Sequence, residues 1–330
     1  MGLTGQRAIL QVHPTRRCNL RCRHCYSSSG PWVSDSTDLE VLRSAVTDAR
    51  GLGYDVLSVS GGEPLLFPDL VALLGHAREV GMRTSVTSNG MLLTKRRLSE
   101  LAGLVDVLAI SLDGRPETHE WMRGDRRAFR QMAARLPEVR ESGIAFAFIT
   151  TLTMHNVHEL EFVFELAADS GAALVQVHPL EPDGAATDLL TAVPDSTELG
   201  YAAFEATRLS VVHGIPVQVD LVTQQDLTAA PDRFLTGLPD PAEPLGDWLT
   251  PLVVETDGSV VPLSYGFGRS YGLGNLHSAS LRELARSWDP EPLQRLAAGL
   301  HADLCRESPM FVNWYERLMR RSLVVPEPVG

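Results

Sequence analysis

The chain has 330 residues, 44% of them hydrophobic and 21% charged, with a formal net charge of -12 at pH 7. That length allows one large domain or two, each with a sizeable core, and that charge argues against non-specific binding to nucleic acid or to an anionic membrane surface. No apolar run reaches the roughly 18 residues that a bilayer span requires. The opening MGLTGQRAIL has no charged segment followed by a long apolar one, so it does not read as a signal peptide. It also lacks the Ser or Thr at position 6 that myristoylation needs. Four cysteines in such a chain point to a reducing cytoplasm, where clustered thiols are metal ligands or catalysts.

In chain order, six β-type apolar runs are expected at 8–14, 55–60, 83–88, 105–112, 145–152 and 173–180. Amphipathic helical stretches near 38–52, 68–80, 94–102, 125–142 and 156–170 separate them, with apolar residues at three- and four-residue intervals. Ser36-Thr37-Asp38 and Thr94 supply polar caps at helix starts, and Gly53, Gly81 and Gly143 mark helix ends. Strand–helix alternation with short loops predicts right-handed βαβ units on a parallel sheet. Six units fall short of the eight that close a full barrel. An α/β fold is therefore expected, a partial (β/α)6 TIM-type barrel over 1–222, open at its mouth. The rhythm stops near 222. A Pro-, Gly- and Asp-rich stretch (228–247), a hairpin turning at Asp257-Gly258 and helical segments near 279–300 predict a smaller C-terminal α+β domain over 223–330.

Cys18, Cys22 and Cys25 stand at a C-x3-C-x2-C spacing after the first strand, and Cys305 lies far away. Three thiolates are one short of a structural zinc site and cannot all pair in disulfides. They suit a [4Fe–4S] cube with one iron left open, placed at the C-terminal mouth of the barrel where such folds put their chemistry. The competing reading is a zinc knuckle closed by His13 or His24, which would make the chain a zinc-binding interaction protein. An ordinary barrel lyase would need a Schiff-base lysine. The single lysine, Lys95, lies between helical residues and not at a strand end.

The segments CNLRCRHCY (18–26), SGGEPLL (60–66), TSNG (87–90), ISLDG (110–114), THEWMRG (118–124) and VQVHPLEPDG (175–184) together resemble the radical S-adenosylmethionine (radical SAM) enzymes. The resemblance implies S-adenosyl-L-methionine (SAM) and a [4Fe–4S] cluster on Cys18, Cys22 and Cys25. It places Gly61 and Gly62 where the backbone approaches the methionine part of SAM, and Glu63 as acceptor from its ammonium. Asn89 and Ser111 are implied near the cofactor, and Arg123 near its carboxylate. Val177 and Leu180 are implied as an apolar wall for the adenine, with the His24 ring beside it. Reductive cleavage of SAM, followed by hydrogen abstraction from substrate by the 5′-deoxyadenosyl radical, is the implied chemistry. Read on residues alone, Arg123 is a solvated helix-end arginine. His178 is a satisfied core histidine, with a mouth-facing role beside Glu181 as the alternative.

Residues 254–288 further resemble the SPASM-type C-terminal domains of that family, which bind auxiliary clusters through additional cysteines. Leu263 stands where a cysteine is expected, and Cys305 is the one thiol downstream. The implied domain is a degenerate SPASM without auxiliary clusters. That favours redox-neutral outcomes such as epimerisation or rearrangement over oxidation. Cys305 is then the candidate hydrogen donor of an epimerase, against its reading as a buried thiol. The expected substrate is a peptide or protein, as in natural-product maturation; a small metabolite such as a sugar or amino acid is the alternative. An electron donor such as flavodoxin or ferredoxin is implied. So is a separate leader-peptide-binding protein, since the motif at residue 18 leaves no room for a leader-binding domain ahead of it.

Overall fold

A computed structural model describes residues 7–324. The six expected strands are present as β1 (Ile9–Val12), β2 (Val56–Val59), β3 (Arg83–Ser88), β4 (Val107–Ser111), β5 (Ala145–Leu152) and β6 (Leu174–Pro179). A seventh, β7 (Val217–Val219), extends them. Each is parallel to the one before. The intervening helices are α1 (Leu39–Gly51), α2 (Leu70–Glu79), α3 (Lys95–Leu101), α4 (Pro116–Arg123), α5 (Ala128–Ala133), α6 (Leu136–Ser142), α7 (Leu160–Ser170) and α8 (Ser196–His213). The expected caps operate: the Asp38 carboxylate accepts from the Glu40 N–H, and the Thr94 hydroxyl from the Arg97 N–H. The stretch expected as one helix near 125–142 is two, α5 and α6. α4 was legible beforehand only as a motif.

Alternation along the strands sorts the two faces of the sheet. Leu10, Val12, Leu57, Val59, Val86, Leu108, Ile110, Phe146, Phe148, Val175 and Val177 are buried in one hydrophobic core. The alternate row carries Gln11, Ser58, Ser85, Thr87, Ala109, Ala147, Ile149, Thr151, Gln176 and His178, all only partly buried except Ala147. Strand register places Gln11 beside Ser58, Ser58 beside Ser85 and Thr151 beside His178. The concave face is thus small and polar, and no layer of aliphatic side chains fills it.

Beyond β7 come β8 (Val222–Thr223), α9 (Gln224–Ala229), α10 (Leu245–Trp248), β9 (Leu252–Val254), β10 (Ser259–Pro262), β11 (Gly274–Asn275), α11 (Leu281–Ser287), α12 (Glu291–Glu307), β12 (Phe311–Val312) and α13 (Trp314–Leu323). The expected hairpin is β9–β10. It does not stand apart, because β9 pairs parallel with β1 and gives a ten-stranded sheet in the order β11-β10-β9-β1-β2-β3-β4-β5-β6-β7. One continuous core includes Ala8 and Met319 alike. The buried Tyr54 hydroxyl donates to the Leu249 carbonyl at 2.8 Å, tying the start of β2 to the chain entering β9. Tyr54→Phe leaves that carbonyl without its donor. The expected loss of unfolding free energy is about 1–3 kcal/mol in urea denaturation; an unchanged midpoint would remove this bond from the contacts that hold β9 to the barrel.

Candidate functional site

Residues 13–38 connect β1 to α1 with two isolated bridges, Thr15–Ser36 and Arg17–Gly30, as their sole ladder structure. All four cysteines are free thiols. Each sulfur of the triplet accepts one N–H: Cys18 Sγ from the Leu20 backbone at 3.4 Å, Cys25 Sγ from the Ser29 backbone at 3.3 Å, and Cys22 Sγ from Arg123 Nη1 at 3.9 Å. Burial pushes the Cys18 thiol up to about 12 and the Cys22 thiol up to about 11, so a bound cation is what would deprotonate them.

Two strand ends and a helix hold this loop. The Gly62 N–H donates to the Thr15 carbonyl and the Glu63 N–H to that of Arg17. A Cβ on Gly62 would lie 2.3 Å from the Arg17 oxygen, and one on Gly61, at φ +113°, 2.7 Å from the Thr15 oxygen. The close approach these glycines permit is therefore to the cysteine loop itself. From α4, the Met122 carbonyl accepts from the Arg23 N–H. From the segment after β6, the Ala185 N–H donates to the Cys25 carbonyl.

Glu63 is fully buried. Its Oε1 accepts from the Leu65 N–H and the Ser88 hydroxyl, and its Oε2 from the Asn89 N–H. Burial pushes its carboxyl above the ordinary range, with these bonds opposing. Asn89 Nδ2 in turn donates to Asn19 Oδ1 in the cysteine loop. The GGEP and TSNG segments and the cysteine loop thus meet at one place, and Ser111 ends the neighbouring strand β4.

Arg123 corrects the solvated reading. It is 8% exposed, and its fork grips Asp113, Nε to Oδ2 at 2.6 Å and Nη2 to Oδ1 at 3.1 Å. Burial alone would push the Asp113 carboxyl up, but Arg123 outweighs it and holds it down at about 2. His24 lies on the same carboxylate, Nε2 to Oδ2 at 3.8 Å, and its buried Nδ1 has no partner among the described residues. Asp113 is the site residue that sequence reasoning missed. The available signal was an acid at a strand end, in ISLDG, followed by an arginine one short helix later.

Other expectations fare differently. Val177, expected on the adenine wall, lies on the helix-facing row inside the main core, because the alternation that turns His178 inward turns Val177 outward. Leu180 is buried in a separate small cluster with Ala186 and Ala192. The polar neighbours of Cys305 are His301, with ring nitrogens 3.8 Å from Sγ, and Gln224. None of these belongs to the mouth, so its proposed delivery of hydrogen there has no support. Of the two histidines of the zinc reading, His13 Nε2 is engaged by Gln11 at 2.8 Å and His24 Nε2 lies 3.8 Å from Asp113, while the Nδ1 of each ring has no partner among the described residues. Among the described residues, no three His, Cys, Asp or Glu side chains, the cysteine triplet included, already stand around one point as ligands of one ion. At the expected auxiliary cysteine, buried Leu263 (φ +66°) helps line a cavity of about 70 Å³ with Phe234, Trp248 and Trp314. No other thiol is near enough in sequence to build a cluster there.

Residues 12–167 match the family model described as the Radical SAM superfamily. Over that segment the chain carries a Radical SAM superfamily domain. It is 31% identical over 187 residues to an AdoMet-dependent heme synthase of Methanosarcina barkeri, covering 56% of this chain and 54% of that one. It is 32% identical over 179 residues to a PqqA peptide cyclase of Ruegeria pomeroyi, covering 52% and 47%. The chain thus spans about half the length of these curated relatives. Its fold is shared with Streptococcus suis SuiB bound to S-adenosylmethionine (TM-score 0.69, 15% identity, 88% of this chain and 68% of that chain). It is shared also with anSMEcpe bound to AdoMet and the Kp18Cys peptide (TM-score 0.65, 17% identity, 95% of each chain). A domain of that superfamily implies SAM and an iron–sulfur cluster, and the free, N–H-bonded thiol triplet supplies the ligand type the latter needs.

On the concave face, His178 stands between two carboxylates, Nδ1 3.1 Å from Asp220 and Nε2 3.4 Å from Glu181. This settles the choice left open for it in favour of the polar face. Burial alone would lower its pKa; Glu181 and Asp220 outweigh that and raise it to about 10. Because the folded value exceeds the unfolded one of about 6.5, its stabilisation is complete below about pH 6.5 and is lost as pH rises toward about 10. Urea denaturation across that range should show stability falling in the native chain and a flatter profile in His178→Gln. Parallel profiles would mean that the imidazolium carries no linkage.

Proposed function

We propose that Cys18, Cys22 and Cys25 hold one [4Fe–4S] cluster and that the chain is a radical SAM enzyme acting on a peptide or protein. The observation that carries the cluster is the set of three buried or half-buried sulfurs, each accepting one N–H. When bound, cluster and SAM supply one-electron cleavage of SAM and a hydrogen-abstracting radical. The protein's share is binding, orientation and exclusion of water. Glu63 is positioned to take the SAM ammonium, because Oε2 accepts one hydrogen bond and has capacity for another. Asn89 and Ser111, at adjoining strand ends, border the same space. The polar concave face from Gln11 to His178 would receive the substrate, with Glu181 and Asp220 favouring a cationic or hydrogen-bond-donating group. Residues 223–330 would act as a degenerate SPASM that closes one edge of the barrel and carries no cluster.

The peptide reading is supported by similarity to a PqqA peptide cyclase and by a fold shared with SuiB bound to precursor peptide SuiA. A small-molecule substrate is the second reading, favoured by the 31% identity to an AdoMet-dependent heme synthase. A one-electron donor of the flavodoxin or ferredoxin type would serve either. Anaerobically reconstituted protein, given dithionite and SAM, should release 5′-deoxyadenosine, and Cys18→Ala should release none. Glu63→Gln should weaken SAM binding roughly tenfold, the value of one charge-assisted hydrogen bond, with iron content unchanged. SAM affinity equal to the native would remove Glu63 from the site.

A further inference from the structure

The Asp113–Arg123 pair is buried against the cysteine loop, and nothing in the proposed SAM chemistry requires a carboxylate there. Its geometry is over-determined. Both Asp113 oxygens are taken by the Arg123 fork, and Oδ1 also accepts from the Thr151 N–H at 3.2 Å. The Asp113 carbonyl accepts from Asn156 Nδ2 at 2.8 Å. A bidentate fork fixes the plane of the guanidinium, and that plane leaves Nη1 facing Cys22 Sγ at 3.9 Å.

The two neighbouring imidazoles do not change the charge. The Asp113 N–H donates to His119 Nδ1 at 3.1 Å, so that nitrogen is an acceptor and the ring is neutral. Burial lowers His119 to about 3, well below neutrality, and His24 contacts the Asp113 carboxylate rather than a sulfur of the triplet. Arg123 is therefore the one full positive charge, among the described residues, in hydrogen-bond contact with a sulfur of the triplet. Asp113 cancels it within hydrogen-bond distance.

We infer that Asp113 is a positioning residue that aims Arg123 at Cys22 and offsets its charge, so that a cluster bound there keeps a low reduction potential. The inference rests on the reading that a cluster is held by this triplet. Reduction adds one negative charge to a cluster, so an uncompensated cation beside a ligand sulfur stabilises the reduced form and raises the potential. A carboxylate on that cation removes most of the effect while leaving the N–H to sulfur in place.

The test is the midpoint potential of the reconstituted holoprotein without SAM, followed by electron paramagnetic resonance in a mediated redox titration, with iron counted in every sample. Asp113→Asn leaves Arg123 unbalanced and should move the midpoint to a more positive value. The double variant Asp113→Asn/Arg123→Gln buries no charge and should return it close to the native value. An unmoved midpoint in Asp113→Asn, or a double variant displaced as far as the single one, would overturn the inference. If Asp113→Asn alone fails to hold iron, the double variant still decides, since its midpoint must match the native one. A native chain that takes up no iron at all would defeat the cluster reading instead.

Discussion

Residues 13–38 form a loop with almost no ladder of its own, and where it is buried its backbone must find hydrogen-bond partners elsewhere. Most of the site follows from how they are found. The Gly62 and Glu63 N–H groups serve the Thr15 and Arg17 carbonyls, the Met122 carbonyl serves Arg23, and Ala185 serves Cys25. The C-terminal segment takes part too: the Thr37 hydroxyl donates to the Thr256 carbonyl, and the Thr256 hydroxyl to that of His13. A loop tied to the ends of β2, α4, β6 and β9 cannot shift without breaking several buried bonds. The backbone that carries the thiols is thereby anchored before any ligand arrives, which is the part of a preorganised site that the fold supplies.

The same loop gives the C-terminal residues a structural role. By pairing with β1, β9 covers what would be an open sheet edge, and the turn after it anchors the loop through Thr256. Leu263 and the aromatic residues around it pack where a thiolate was expected. The segment contributes structural support and burial to the barrel.

Much of the fold was legible in the sequence, because alternation with period two and helical spacing are local signals. β7 was not, since three residues carry no readable period. α8 was passed over because its buried stripe is made of Ala202, Ala203, Ala206 and Leu209, while Phe204, Val211 and Val212 remain exposed. The chemistry-bearing motifs were legible where the residues are contiguous, as at Cys18–Cys25 and Gly61–Glu63. The Asp113–Arg123–Cys22 arrangement was not, because it joins residues 10 and 101 positions apart and exists only in the folded chain. Val177 was misplaced by parity: one position along a strand reverses the face.

The central claim is that three cysteines, and no others, hold a single cluster. Iron and acid-labile sulfide, counted in anaerobically reconstituted and desalted protein, test it most directly. About four irons per chain, falling to background when Cys18, Cys22 and Cys25 are all changed to Ala, is the expected result. About eight irons per chain, or iron and visible absorbance retained without the three thiols, would contradict it.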